Sequence, residues 1–99
     1  MEELQDQFDV LDTLLEEAVD HNFDQLLMVS RPDASHLYML SKGRVKKGIP
    51  FERDITGAFV EYFTEREFPE QMQSLQCEMN VTKTAGLGEC YLVKIRKKP

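Results

Sequence analysis

Apolar residues recur through the first twenty positions with the period of a helix. Leu4, Phe8, Leu11, Leu15 and Ala18 form one stripe over about five turns, and Val10, Leu14 and Val19 widen it. Glu2, Asp6, Asp9, Glu16 and Asp20 fall on the opposite side. The spacing predicts a helix that closes near His21-Asn22, because asparagine tolerates the left-handed backbone conformation that ends helices.

Two short apolar runs follow, Leu26-Leu27-Met28-Val29 and Leu37-Tyr38-Met39-Leu40, on either side of Arg31-Pro32-Asp33-Ala34. Pro followed by Asp suits the centre of a type I turn, so the runs read as an antiparallel hairpin. Pairing Met28 with Tyr38 and Val29 with Leu37 puts Leu26, Met28, Tyr38 and Leu40 on one face. Leu27, Val29, Leu37 and Met39 then form the other. A sheet with one wet face alternates apolar and polar residues instead. The hairpin is therefore expected to be central in its sheet, or to have its second face covered.

Ser41 to Gly48 reads as a basic loop or strand extension. Phe51, Ile55, Ala58, Phe59, Tyr62 and Phe63 keep helical spacing, which predicts a second helix starting at Pro50 or Asp54 and stopped by Pro69. Gly57 costs such a helix about 1 kcal/mol against alanine, and is expected to mark a close approach to the sheet. Downstream, Leu75, Cys77, Met79 and Val81 alternate with polar residues, as do Tyr91, Val93 and Ile95. A three-residue loop, Thr84-Ala85-Gly86, would pair Val93 with Cys77 and Ile95 with Leu75. Cys90 then lies on the other face from Cys77, which forbids a disulfide between them.

The elements predict one α+β domain over residues 1–99. Its expected form is two-layered, with two helices on one face of a four-stranded antiparallel sheet, in the order α-β-β-α-β-β. At 41% hydrophobic residues the chain can support a single core. No apolar run approaches the ~20 residues of a membrane span. The acidic start is unlike a signal peptide, and two cysteines are too few for a disulfide framework. A reduced, cytoplasmic protein with no membrane partner is the expectation.

Charge adds a feature that folding alone does not demand. Residues 1–30 hold nine carboxylates and no lysine or arginine, whereas the rest of the chain holds all twelve cations and nine acids. A net charge of −6 thus hides a polarised molecule. Like-charged pairs such as Asp12–Glu16 and Glu16–Asp20 each oppose the helix by roughly 0.2–0.5 kcal/mol, together on the order of 2 kcal/mol. Glu16, Glu17 and Asp20 also face the negative end of the helix dipole. Glu2, Asp6, Asp9, Asp12, Glu16, Glu17 and Asp20 accordingly form a candidate docking surface for a partner with a basic surface. In its sharpest form the chain is an acidic inhibitor or immunity-type protein; otherwise these acids form a solvated face that serves solubility.

Two basic clusters, Lys42, Arg44, Lys46 and Lys47, and Lys94, Arg96, Lys97 and Lys98, make nucleic acid an alternative partner. Tyr38 or Tyr91 could stack a base beside them. An overall pI near 4.8 argues against that class, and lysines also protect sheet edges. Gly86-Leu87-Gly88 lacks the remainder of a phosphate-binding pattern and suits a hairpin turn. His21, His36, Cys77 and Cys90 have no metal-ligand spacing, and no nucleophile-base arrangement can be assembled. A non-enzymatic interaction module without a cofactor or metal is expected. The doubly apolar first hairpin adds a third possibility, a structural homodimer joined through that surface.

Overall fold

A computed structural model describes residues 2–31, 34–65, 68, 70–84 and 88–97. The N-terminal amphipathic segment forms α1 (Glu2–Asp20). Leu11, Leu15 and Ala18 are fully buried, Phe8, Leu14 and Val19 pack against the same core, and Val10 is left 44% exposed. Asn22 adopts φ 59°, as its place after the helix requires. The Phe23 amide donates to the Ala18 carbonyl and the Asn22 amide to the Val19 carbonyl, the paired bonds of a Schellman cap. Phe23 folds back on the core and seals the end.

The sheet has five strands, not four: β1 (Gln25–Arg31), β2 (Ala34–Ser41), β3 (Arg44–Phe51), β4 (Leu75–Thr84) and β5 (Gly88–Lys97). All pairings are antiparallel in the spatial order β3-β2-β1-β5-β4, so the chain runs α-β-β-β-α-β-β. The segment read as a basic loop or strand extension is a separate edge strand that runs on to Phe51. Its lysines, Gly48 and Pro50 disfavour a central strand, but an edge leaves one side of the backbone unpaired and lets charged side chains reach water. Lys42 and Gly43, both with positive φ, close a tight hairpin between β2 and β3, and a bulge follows where Leu40 faces Val45 and Met39 faces Lys47.

The β1–β2 register is shifted by one residue from the expected one: Met28 faces Leu37 and Leu27 faces Tyr38. That slip sorts the faces differently. Leu26, Met28, Leu37 and Met39 lie against the helices, while Leu27, Val29, Tyr38 and Leu40 look the other way. β1 is central, as the doubly apolar pattern implied. In the last hairpin Cys77 faces Ile95 and Met79 faces Val93, two residues from the expected register but with the same faces together. The expected turn at Pro32-Asp33, the helix stop at Pro69, Ala85 to Leu87 of the last loop, and Lys98 lie outside the described residues.

The second helix, α2 (Thr56–Thr64), is shorter than the apolar spacing suggested. It starts later than either expected residue, with Ile55 at its N-cap, and Asp54 just before it accepts from the Thr56 amide at 3.0 Å and from the Thr56 hydroxyl. Ala58, Phe59, Tyr62 and Phe63 face the core, but Gly57 is exposed with open space around it, so it marks no close approach. Partial burial pushes the Asp54 carboxyl up, but bonds from the Thr56 hydroxyl and amide and from Ser30 outweigh it and hold the group below its ordinary 3.8. A lowered folded-state value means that Asp54 contributes stability above pH 3.8 and loses it as pH falls through the folded value. Asp54→Ala is expected to cost about 1 kcal/mol at neutral pH. In urea titrations the variant and the parent should converge well below pH 3.8; an equal gap at both pH values would refute this role.

Both helices cover one face of the sheet, giving a slab of 38 × 35 × 20 Å. Among the described residues, no helix is long and apolar enough to cross a membrane.

Candidate functional site

The acids of α1 divide into two groups. Asp12 and Glu17 are turned to the fold: Asp12 accepts from the buried Tyr62 hydroxyl at 2.5 Å, and Glu17 pairs with Lys47 at 2.7 Å. Asp6, Asp9, Glu16 and Asp20 are exposed along the outer side of the helix. The Glu2 side chain lies outside the described residues. The Lys47–Glu17 pair is itself largely exposed, with its side chains 46% and 31% accessible, so it contributes roughly 0–1 kcal/mol and does not offset the repulsion along the helix.

Beside the N-terminal half of this row lies an open groove of about 360 Å³. Val10, Phe51, Pro50 and Ile55 provide its apolar walls, and Asp6 and Gln7 lie along its α1 side. Glu52 and Arg53 also line it. The exposed Val10, which lies off the centre of the apolar stripe, is explained by this groove. Periodicity alone could not find it, because the opposite wall comes from the end of β3 and the segment leading into α2, far along the chain.

The two basic clusters occupy different parts of the sheet. β2 and β5 run in the same direction, so both clusters sit toward one end, but β1 separates the two strands. Lys47 is drawn to α1, while the Lys42 amide donates to Asp24. Arg44 and Lys46 are exposed on β3. Lys94 and Arg96 alternate with the core-facing Val93 and Ile95, which places them on the face away from the helices. Lys94 there stands opposite Glu78 in register. Among the described residues the cations are thus divided between the two faces and do not form one patch.

The helix-free face of the sheet is apolar along its middle. Leu27, Val29, Tyr38, Leu40, Val45 and Leu92 line a shallow trough of about 560 Å³, with Arg31 at one end. His36 stacks on Tyr38 at 4.4 Å between ring centroids, and both lean over Gly48 of β3. A Cβ at position 48 would stand 3.1 Å from His36 Nε2, so this glycine makes room for the ring pair. Tyr91, the other tyrosine considered for base stacking, faces the helix layer. Its hydroxyl donates to Glu89, which holds the phenol above its ordinary value.

The histidines and cysteines do not converge. His36 and Cys90 lie on the open face on either side of Val29, Cys77 lies on the helix side, and His21 caps the end of α1 through Glu17. Burial pushes the Cys77 thiol up to about 12, which leaves it protonated at neutral pH. Among the described residues no group of three or more His, Cys, Asp or Glu side chains is gathered for a metal ion. No protein-family profile, curated protein or solved structure matches this chain.

Proposed function

We propose that the chain is a non-enzymatic interaction module that docks a basic protein partner through the outer side of α1. The observation that carries this reading is the exposed row Asp6, Asp9, Glu16 and Asp20 beside the apolar groove under Val10. A partner that offers cations flanking an apolar side chain matches both features. Its charges would steer the encounter and its apolar group would provide the buried anchor. An acidic inhibitor or immunity-type protein is the form of this module that best accounts for an acid row that opposes its own helix. Cytoplasmic residence belongs to the same proposal.

The test is capture of a partner from the native cell by the parent and by the triple variant Asp6→Lys, Asp9→Lys, Glu16→Lys. The parent should retain a basic protein at low salt, and the variant should lose it by about tenfold or more. Unfolding would not explain such a loss. The reversals relieve like-charge repulsion, and the one at Glu16 sets a cation four residues from both Asp12 and Asp20, so helical content should hold or rise. Equal capture by both proteins sinks the proposal.

A further inference from the structure

The open sheet face remains unaccounted for by a surface on α1. We infer that it is the seat of a second copy of this chain, sheet against sheet, in a dimer whose helix layers lie on the outside.

Three observations favour this occupant. The first is composition: the middle of the face is aliphatic and aromatic, with Leu27, Val29, Leu40 and Leu92 flanked by Tyr38 and Val45. Val45 is 57% exposed in the single chain and Leu27, Tyr38 and Leu92 are half-buried, while Val29 and Leu40 are already buried between them; sheets present such rows where another layer covers them. The second is extent. Five strands at ~4.8 Å spacing and some seven residues at ~3.3 Å rise span roughly 24 × 23 Å. Two such faces bury on the order of 1,100 Å², just above the ~1,000 Å² that a biological interface needs.

The third is the placement of charge. Docking through the helix layers would bring two rows of carboxylates together. Sheet-to-sheet docking instead separates the acid rows by two slab thicknesses, each 20 Å, well beyond the ~8 Å over which salt screens charge. Arg31, Lys94 and Arg96 lie toward the ends of the strands, where they can stay in water at the rim. The polar β4 positions Gln76, Glu78 and Asn80 border the apolar strip on one side.

Light scattering on eluting fractions decides the matter. The parent should have a mass of about 23 kDa, twice the 11.5 kDa of the chain. Leu92→Asp should return it to 11.5 kDa with its circular dichroism unchanged. Val45→Lys, at an already exposed edge position, should weaken the dimer at least several-fold even if the Leu92 variant fails to fold. Glu16→Lys, on the outer side, should leave the dimer intact. A parent that stays monomeric at the highest attainable concentration overturns the inference. So does a dimer that survives both sheet-face variants, or one that Glu16→Lys dissociates. A monomer that retards a labelled single-stranded oligonucleotide would reassign the face to nucleic acid, and equally overturns it.

Discussion

Tyr62→Ala is expected to remove about 4 kcal/mol of stability, a loss comparable with the whole of a small domain's margin. Tyr62 has no exposed surface and is the largest fully buried side chain of the core. Its ring meets Phe8 of α1 at 6.0 Å, Phe63 at 4.8 Å and Phe68 at 5.7 Å. Its hydroxyl crosses to Asp12 on α1, so one side chain joins the two helices by packing and by a charge-assisted bond. Tyr62→Phe separates these contributions. It keeps the ring and loses only the bond, for an expected cost of about 1.5–3 kcal/mol. Urea unfolding with an unchanged denaturant slope measures both variants. A Tyr62→Ala loss below about 1 kcal/mol would mean that the helices are not joined in this way.

The second large effect is expected at Ser35, buried at 2% exposure on the helix-facing side of β2. Its hydroxyl donates to the Arg53 carbonyl at 2.9 Å and accepts from the buried Ile55 amide at 3.2 Å. Directly across in register, Ser30 donates to Asp54 at 3.2 Å. The two serines thus clamp the segment that leaves β3 and turns into α2. Ser35→Ala deprives the Ile55 amide of its acceptor, at an expected cost of about 2 kcal/mol. The loss should be localised: amide exchange at Ile55 and the first turn of α2 should quicken more than exchange in β1. Uniform quickening across the sheet would refute the clamp.

The elements with strong periodicity were legible in the sequence. α1 and its Asn22 cap follow from apolar spacing and the chemistry of one residue, and β4 and β5 follow from alternation. What was not legible depended on neighbours. β3 carries Arg44, Lys46, Lys47, Gly48 and Pro50, a composition that reads as loop until an adjacent strand supplies its hydrogen bonds. The register of β1 on β2 could not be chosen by burial, because both faces of both strands are apolar and a one-residue slip costs no obvious contact. Gly57 was misread because a single sequence does not show whether a missing side chain serves packing or merely faces water.

The candidate surfaces follow the same division. The acid row was visible as a count and a helical face, yet which acids turn inward depended on Tyr62 and Lys47, both distant in sequence. The groove under Val10 and the serine clamp join segments that no local pattern connects. The spread of the basic residues over two faces likewise required the strand order, since clusters that both follow parallel-running strands are kept apart by the strand between them.

The layered charge has one more consequence. Carboxylates along the outer side of α1 and cations such as Arg31, Lys94 and Arg96 on the far side of a 20 Å slab give each chain an electric dipole along its thinnest axis. Sheet-to-sheet pairing sets two such dipoles head to head, so the dimer presents a carboxylate-bearing layer on both broad faces. A positive support would then hold it by either layer, and the other layer would stay open to a basic partner.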